Sequence, residues 1–536
     1  MLEKRSDVES RSSVDSANAL VKSGFQLAGQ QQLDEAVSKF DQAIALKPNF
    51  AEAWIGRGIV LSCLGRLEDS VASYDHVLAL QPDAEAFRCR GSVLYDLGRF
   101  EEAASSYDNS LVLKPDAEIF HARGLILYRL DRFDEALASH ENALALKPNY
   151  AEAFASRSAV LAKLQRFDLA LDSIDKAIAL GAENSAAVCE SIGIELHNLG
   201  RPDDALPYYD RVLAHAPDHV DMRFHRALAL LGTGDLVRGF KDYRVRFLVK
   251  NRSHPEQPEW ITCPEWEGEP IAGKRLIIYV EQGYGDTLQF VRYVPMALAR
   301  GAHVTLFLSP PMLKLLRASL PGVEVTDRLP HTAVFDFRAP MLNLPYIFGT
   351  SLETVPADTP YLTADQTAAA SWAQRLNALP GLKVGLVWAG GKSMPSVDAR
   401  RSLKLAQFAP LAAVHGTRFI NLQIGEPAEE IKTPPAGLDL IDWTSEIGDY
   451  ADTAALVAGL DLVITVDTSV AHLAGGLGKP VWILSRFDGC WRWLQDREDS
   501  PWYPTARIFR QPAPGEWGAV MVKVAGALKE RYYVSN

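Results

Sequence analysis

The sequence has little cysteine and no long apolar run, and each shortage excludes a class of protein. Five cysteines are spread over 536 residues without a Cys-x-x-Cys motif, at positions 63, 89, 189, 263 and 490. This spacing offers no metal site and is typical of reduced thiols in a cytoplasmic protein. No apolar run approaches the roughly 18 residues that a membrane span requires. The polar first sixteen residues also lack the apolar centre of a signal peptide, so we predict a cytoplasmic protein.

Positive charge is also scarce. The 55 lysines and arginines are outnumbered by 67 acidic residues, which gives a formal net charge of -12. This balance argues against a general nucleic-acid binder and against a protein of anionic membrane surfaces, although one local basic pocket for a phosphate is compatible with it. A chain of 536 residues is too long for one hydrophobic core and predicts roughly three or four domains. We interpret residues 1–16 as a disordered tail.

A repeat of about 34 residues fills much of the first half of the chain. Similar segments begin at Ala51, Ala84, Ala117 and Ala151, and each is followed by a second helical period. A small residue recurs in the second periods, at positions 36, 70, 103, 136, 170, 205 and 239. Prolines close most of the units. These features resemble the tetratricopeptide repeat, with about seven units over residues 17–249. The resemblance implies a right-handed α-helical superhelix whose concave groove binds an extended protein segment.

A row of arginines accompanies the repeats, at positions 57, 90, 123 and 157, and Arg226 is a candidate continuation. One interpretation is that the row binds a polypeptide or an anionic ligand. The other is that it pairs internally with the recurring acids Asp75, Asp108, Glu141 and Asp175. Because the arginines and the acids recur together, the sequence favours internal pairing.

Residues 250–273 are aperiodic, and we predict a connector that docks on the following domain through Trp260 and Trp266. Strands alternate with helices after the connector, which predicts parallel sheets covered on both faces. The predicted boundaries are 274–380 for a first Rossmann-like half, 381–514 for a second half and 515–536 for a C-terminal helix.

The first half opens with an apolar strand, Arg275–Val280, and a Gly-rich turn that ends at Asp286. Gly283 and Gly285 let the backbone approach a ligand closely and place Asp286 at the mouth of a cleft. The alternative is that Asp286 only caps the following helix. The turn lacks the full Gly-x-Gly-x-x-Gly pattern, so it gives weak support to a dinucleotide cofactor.

The second half contains the stretch DLVITVDTSVAHLAGGLGKPVW, residues 461–482. Leu462–Val466 predicts a buried strand, Asp467 follows it directly, and His472 lies in the first turn of a small-residue helix. Ligands of open α/β sheets lie beyond the carboxyl ends of the strands, and a helix N-terminus suits a diphosphate. An ordinary aspartate cap between strand and helix is the alternative. Val481–Leu484 is the last strand that we predict.

The Gly285-Asp286 turn and the motif Asp-Thr-x-x-x-His-Leu-Ala-x-x-Leu-x-Lys-Pro are similar to glycosyltransferase family 9, the bacterial heptosyltransferase-like group. In combination with the repeats they resemble bacterial tetratricopeptide-repeat glycosyltransferases that modify proteins, flagellins included. The resemblance implies a multidomain α + α/β protein: an α-solenoid followed by a GT-B module of two Rossmann-like domains. The family's typical acceptor is a lipopolysaccharide core sugar, and the repeat array puts that acceptor in doubt. In GT-B proteins the last helix often crosses back to the first half.

The resemblance also implies roles for individual residues. Asp286 would act as the general base, and the nucleotide sugar would bind to the second half. A basic residue after the first strand of that half, Lys392, Arg401 or Lys404, would contact the diphosphate, and neither a metal nor another cofactor is expected. The donor-side candidates are Asp467, Thr468, Ser469, His472, Arg401, Lys392, Gln423 and Gly391, and the acceptor-side loop contains Gln282, Gly283 and Gly285.

The leading expectation is therefore a glycosyltransferase that moves a sugar, with inversion and without a metal, to a Ser/Thr hydroxyl of a protein captured by the repeats. Flagellin is one candidate acceptor. One alternative is a heptosyltransferase-like enzyme for a glycan or lipid-linked acceptor. Another is a non-catalytic repeat scaffold with a degenerate GT-B domain. An aromatic cluster, Trp491, Trp493, Trp502 and Tyr503, either lines the sugar pocket or covers the seam between the halves.

Overall fold

The chain divides into two compact units, Met1–Glu195 and Leu196–Asn536. A computed structural model describes residues 2–181, 185–249, 261–330, 332–391 and 395–535. Among these residues the first unit is helical, and the second unit contains the last repeat helices followed by two parallel sheets.

The repeat region consists of consecutive helices joined by short turns. Their bounds are α1 Leu2–Gly29, α2 Leu33–Leu46, α3 Ala51–Cys63, α4 Leu67–Leu80, α5 Ala84–Asp96, α6 Phe100–Leu113, α7 Ala117–Arg129, α8 Phe133–Leu146, α9 Ala151–Lys163, α10 Phe167–Ala179, α11 Ala186–Asn198, α12 Pro202–His215, α13 Val220–Thr233 and α14 Leu236–Tyr243. A 3₁₀ helix, Arg244–Leu248, follows α14. Helix α1 begins at Leu2, where we expected a disordered tail over residues 1–16. The reason is that the chain contains neither glycine nor proline before Gly24, so nothing interrupts the helix.

Glycines in the first helix of a repeat leave room for a ring from the second helix. A Cβ atom on Gly58 would lie 2.8 Å from Cζ of Tyr74, and one on Gly91 would lie 2.7 Å from Cε1 of Tyr107. At the next repeat the ring is His140, whose Cε1 would lie 2.5 Å from a Cβ on residue 124. The helices of these pairs therefore pack closely because the glycines carry no side chain.

The arginine row pairs internally, as the recurrence of the acids predicted. Nε of Arg90 lies 2.7 Å from Asp75, and its Nη1 donates to Ser106 at 2.6 Å. Arg57, Arg123 and Arg157 make the same kind of pair with Asp41, Asp108 and Glu141, and Arg226 pairs with Asp210 and Asp242. Each arginine thus connects neighbouring helices of the array.

Two parallel sheets follow the repeats. The first has the order β3-β2-β1-β4, with β1 Arg275–Tyr279, β2 His303–Phe307, β3 Glu324–Thr326 and β4 Phe337–Pro340. The second has the order β10-β9-β8-β5-β6-β7, with β5 Leu382–Val387, β6 Thr417–Asn421, β7 Leu440–Ile441, β8 Leu462–Val466, β9 Val481–Ser485 and β10 Ala506–Arg510. The expected α/β organisation after the repeats is confirmed at this level.

Helices lie between the strands and after the last of them. They are α15 Tyr284–Phe290, α16 Val294–Ala299, α17 Leu313–Ser319, α18 Leu344–Ile347, α19 Gln366–Asn377, α20 Pro395–Arg401, α21 Tyr450–Ala458, α22 Ser469–Gly476 and α23 Trp517–Ser535. Further 3₁₀ helices include Leu405–Ala413 and Trp491–Trp493. Of the two predicted docking tryptophans of the connector, Trp266 is fully buried against Phe348, whereas Trp260 lies outside the described residues.

One buried cluster joins the last repeat helices to both sheets. It contains Phe240 of α14, Ile278 of β1, Leu288 of α15 and Ile483 of β9. Helix α23 belongs to a different cluster, which consists of residues from the second half. We expected the last helix to cross back to the first half, but its buried face packs on the second sheet instead, because apolar residues of that sheet cover it.

Candidate functional site

The two predicted loops lie at corresponding places in their sheets. Asp286 follows β1, which lies between β2 and β4, and Asp467 follows β8, which lies between β9 and β5. Strand order reverses at both places, and ligands of open parallel sheets bind beyond the carboxyl ends of strands at such points. The topology therefore puts each aspartate beyond the carboxyl ends of the strands of its sheet, where a ligand is expected.

The helices that begin at these loops touch one another. A Cβ atom on Gly285 would lie 3.1 Å from Cδ2 of His472 and 3.6 Å from Cα of Ser469. Helix α15 of the first half and helix α22 of the second half therefore meet at their first turns. The absence of a side chain at residue 285 allows this approach, so the structure brings the two predicted motifs into contact.

Asp286 forms an ion pair that the sequence did not indicate. Its carboxylate accepts a hydrogen bond from Nη2 of Arg492, and the two side chains are 15% and 14% exposed. Nη1 of Arg492 donates to Sγ of Cys490 at 3.2 Å, and the guanidinium lies 4.3 Å from the ring centroid of Trp491. Burial acts to lower the pKa of Arg492, but the surrounding acidic groups, the Asp286 carboxylate first among them, together hold that pKa well above its usual value.

Asp467 is held by residues from two directions. Its Oδ1 accepts a hydrogen bond from Nε1 of Trp493 at 2.8 Å, and its backbone oxygen accepts one from Nη1 of Arg401 at 3.0 Å. Burial acts to raise the pKa of the carboxyl group, but neighbouring positive charge and the Trp493 hydrogen bond bring it below its usual value. The predicted Arg401 thus lies beside Asp467, where it also pairs with Asp398.

His472 is buried between aromatic rings. Its Nδ1 lies 2.9 Å from the hydroxyl of Tyr503, and its ring stacks on Trp493 with centroids 4.9 Å apart. Burial lowers the pKa of His472 to about 3, so the imidazole is neutral near pH 7. Gly475 contributes to this arrangement, because a Cβ atom at that position would collide with the ring of Tyr503.

A buried arginine supports the same region. Arg292 donates hydrogen bonds to the carbonyl oxygens of Pro356 at 3.0 Å and Trp502 at 2.7 Å, and to the hydroxyl of Tyr361 at 2.9 Å. Its guanidinium lies 4.6 Å from the ring centroid of Tyr503. The partner of His472 is therefore fixed by a cation that belongs to the first half.

The first turn of α22 leaves backbone N–H groups available. Among the described residues, no side chain caps this helix through a hydrogen bond. The hydroxyl of Thr468 lies 3.0 Å from that of Thr465, and the hydroxyl of Ser469 accepts a hydrogen bond from Tyr450 at 2.8 Å. Uncapped N–H groups at a helix N-terminus suit an anionic group.

The contacts and positions of the other donor-side candidates do not point to ligand binding. The side-chain oxygen of Gln423 accepts hydrogen bonds from the N–H groups of Trp388 at 3.1 Å and Ala389 at 2.8 Å, so it holds the loop after β5. Gly391 and Lys404 are exposed. Lys392 lies outside the described residues.

On the acceptor-side loop, Gln282 faces the repeats. Its Nε2 donates to the hydroxyl of Tyr243 at 3.0 Å, whereas Gly283 is exposed. The preceding residue, Glu281, forms a fully buried ion pair with Arg246 at 2.6 Å and accepts hydrogen bonds from the N–H groups that follow β4. Burial raises the pKa of Glu281. This pair fastens the end of the repeat array to the first sheet.

Sequence reasoning missed Arg492, Arg292 and Glu281. The one available signal was the aromatic cluster around residue 492, for which two roles were open. Three members of the cluster, Trp493, Trp502 and Tyr503, are fully buried. Their burial favours the interpretation that the cluster covers the seam between the halves.

Neither a metal site nor a membrane span emerges from the described part of the chain. It contains no group of three or more His, Cys, Asp or Glu side chains arranged to hold a metal ion. Within it, no helix combines the length and the apolar character that crossing a bilayer requires.

Comparison with known proteins identifies the repeats. Residues 27–75, 60–118, 121–185 and 192–245 match the tetratricopeptide repeat family. Protein FlbA of Caulobacter vibrioides (strain ATCC 19089 / CIP 103742 / CB 15) is 32% identical over 339 residues. The match covers 58% of this chain and 55% of FlbA, so the chain spans about half the length of this curated relative.

Solved structures are similar to parts of the chain. A tetratricopeptide repeat protein from Parabacteroides merdae is 16% identical and covers 44% of this chain and 95% of its own, with a TM-score of 0.39. YrrB, described as a TPR protein with an unusual peptide-binding site, is 24% identical and covers 34% and 95%, with a TM-score of 0.29. The repeat match and the two sheets together show a chain that contains tetratricopeptide repeats followed by an α/β part.

Proposed function

We propose that this protein is a glycosyltransferase whose two sheets form a GT-B module. The observation that carries the proposal is the contact between the first turns of α15 and α22, which joins the Asp286 turn to His472. A carboxylate on one side and a helix N-terminus on the other are the groups that sugar transfer from a nucleotide sugar requires. The motif resemblance to glycosyltransferase family 9 supports the same assignment.

Asp286 acts as the general base in the proposed reaction. Its carboxylate takes the proton of the acceptor hydroxyl as that oxygen forms a bond to the anomeric carbon. The bond between the anomeric carbon and the diphosphate oxygen breaks at the same time, and the nucleoside diphosphate leaves with the electron pair. A single displacement of this kind inverts the anomeric configuration.

The leaving diphosphate needs positive charge, which this chain provides without a metal ion. The uncapped N-terminus of α22 offers backbone N–H groups, and Arg401 lies beside Asp467 at the same strand end. His472, neutral near pH 7, lies one turn into the same helix and borders the donor. We therefore expect excess EDTA to leave sugar transfer unchanged.

The repeat array binds the acceptor, which we propose is a protein presented to the site as an extended segment. Tetratricopeptide repeats form stacked helical surfaces suited to such segments. A flagellin is one candidate acceptor. A second proposal, that the chain is a protein-binding scaffold without turnover, rests on the repeats alone.

To test the assignment, the full-length protein and the proteins of its own cells are mixed with labelled nucleotide sugars that carry UDP, GDP, ADP or CDP. Protein-bound label should appear with one donor, and Asp286→Asn should lower the rate by about 100-fold or more. Asp327→Asn is the matched control, because Asp327 is a similarly shielded carboxylate of the first half, 21% exposed. If the folded wild-type protein binds none of the donors and transfers no label, the scaffold assignment replaces the enzyme.

A further inference from the structure

Three consecutive side chains of the 3₁₀ helix Trp491–Trp493 contact three different parts of the second unit. Trp491 packs against Tyr243 of the last repeat helix, with ring centroids 5.9 Å apart. Arg492 pairs with Asp286 of the first half, and Trp493 donates to Asp467 of the second half. This segment is therefore anchored on both sides of Arg492 by large aromatic rings.

Arg492 has spare hydrogen-bonding capacity. A guanidinium carries five N–H donors, and a thiol is a weak acceptor. Among the described residues, the carboxylate of Asp286 is the one strong acceptor that Arg492 contacts, and Sγ of Cys490 is the other acceptor. Because its side chain is 14% exposed, a ligand at the loops can reach it.

The backbone beside this segment is in an unfavourable conformation. Leu494, a buried residue that directly follows Trp493, has a φ of 51°, in the left-handed region that favours glycine. Non-glycine residues with positive φ are uncommon and concentrate at functional sites, where the surrounding structure maintains them. The segment thus holds the backbone of residue 492 in one place and leaves the guanidinium free to change partner.

We propose that Arg492 binds the diphosphate of the nucleotide-sugar donor, and that its transfer from Asp286 to the diphosphate frees this carboxylate for the acceptor hydroxyl. The inference rests on the proposed function and adds a residue that the motifs do not contain. Arginine binds phosphate through two parallel N–H···O bonds, so an arriving diphosphate competes well with a carboxylate.

An order of events follows from this exchange. Without a donor, Arg492 occupies the carboxylate oxygen that has to accept a proton. After the donor binds, the same cation neutralises the leaving group, and Asp286 becomes available to the acceptor. Donor binding therefore precedes productive acceptor binding, which keeps the base covered until there is a sugar to transfer.

The test is calorimetric titration of the full-length protein with UDP, GDP, ADP and CDP. Arg492→Gln should weaken binding of the preferred nucleoside diphosphate by about tenfold or more, because it removes the paired cation. Arg492→Lys keeps the charge and should lose less affinity. Asp286→Asn should bind that nucleotide several-fold more tightly than the wild type, since Arg492 no longer has to leave a carboxylate.

A double variant separates this exchange from simple charge repulsion between Asp286 and the phosphates. If the exchange occurs, Asp286→Asn gains affinity in the wild-type background and gains almost none in the Arg492→Gln background. Arg486→Gln is the matched control, since Arg486 also pairs with an aspartate and is 18% exposed. It should keep the wild-type affinity within about twofold.

The outcomes distinguish the two proposals. Suppose that the wild-type protein binds one nucleotide. If Asp286→Asn binds that nucleotide no better than the wild type, or Arg492→Gln binds it equally well, the exchange is overturned and the glycosyltransferase assignment stands. A folded wild-type protein that binds none of the four nucleotides overturns both.

Discussion

Gly285 faces the imidazole ring of His472 so closely that a Cβ atom on residue 285 would lie 3.1 Å from Cδ2 of that ring. The two residues belong to the first turns of α15 and α22, which begin at the ends of β1 and β8. This approach depends on glycine, because any larger residue has to displace a buried ring that already stacks on Trp493.

We predict that Gly285→Ala destabilises the α/β part by about 1–2 kcal/mol, since the added methyl group overpacks a filled contact. Calorimetric unfolding of the full-length protein measures the change. Gly526→Ala in α23 is the control: a Cβ there meets nothing within 4 Å. That variant should be neutral or more stable, because alanine favours a helix over glycine. Equal melting temperatures for the two variants would contradict the close contact.

Tyr503→Phe removes the hydroxyl that lies 2.9 Å from Nδ1 of His472. The buried imidazole then lacks that partner, and we expect a loss of about 1–3 kcal/mol in the free energy of unfolding. Nitrogen NMR of the histidine ring should show a changed tautomer balance at the same time. Tyr284→Phe is the matched control, because Tyr284 is 42% exposed. A Tyr503→Phe variant as stable as this control would show that the hydroxyl is not needed.

The buried ion pair between Arg246 and Glu281 gives a third prediction. Glu281→Gln removes one charge from a pair whose side chains are 0% and 1% exposed. An unpaired buried guanidinium is costly, so we expect a loss of about 3–5 kcal/mol in calorimetric unfolding of the full-length protein. Glu446→Gln breaks the exposed pair with Arg375 and should cost at most about 1 kcal/mol. Similar losses for the two variants would contradict the difference in burial.

His140 makes the first unit sensitive to acid. Its pKa is lowered by burial to about 3, whereas an unfolded histidine titrates near its ordinary 6.5. Between these values the unfolded chain binds a proton that the folded chain does not, so stability is lost as pH falls below about 6.5. At about pH 5 the loss attributable to this histidine is on the order of 2 kcal/mol.

His140→Tyr should reduce this acid sensitivity. Tyr74 and Tyr107 occupy the equivalent positions beside Gly58 and Gly91, so the repeat already accommodates a tyrosine ring there. We expect the melting temperature of the variant to fall less than that of the wild type between about pH 7.5 and about pH 5. His215→Tyr, at an exposed position of α12, serves as the control. A variant with the full wild-type dependence would place the acid-sensitive group elsewhere.

Local patterns predicted much of the fold. The strands β1 and β8 were predicted because each is a mostly apolar run followed by a turn, and the repeats because their small residues recur at a nearly fixed interval. Strand β10 was missed, since Ala506–Arg510 contains two arginines among its apolar residues and follows a loop-rich stretch. The part of helix α1 before residue 17 was missed because a polar segment without an apolar stripe resembles a tail.

The sequence by itself determined that the chain contains helical repeats followed by alternating strands and helices, and it singled out Asp286, Asp467 and His472. These features depend on neighbours along the chain, through periodicity and through the residues at strand ends. Tertiary structure alone decided that Arg492 pairs with Asp286, 206 residues away in the chain. No local pattern encodes such a contact, because it arises only when the rings of Trp491 and Trp493, on either side of residue 492, fix that segment through contacts distant in the chain.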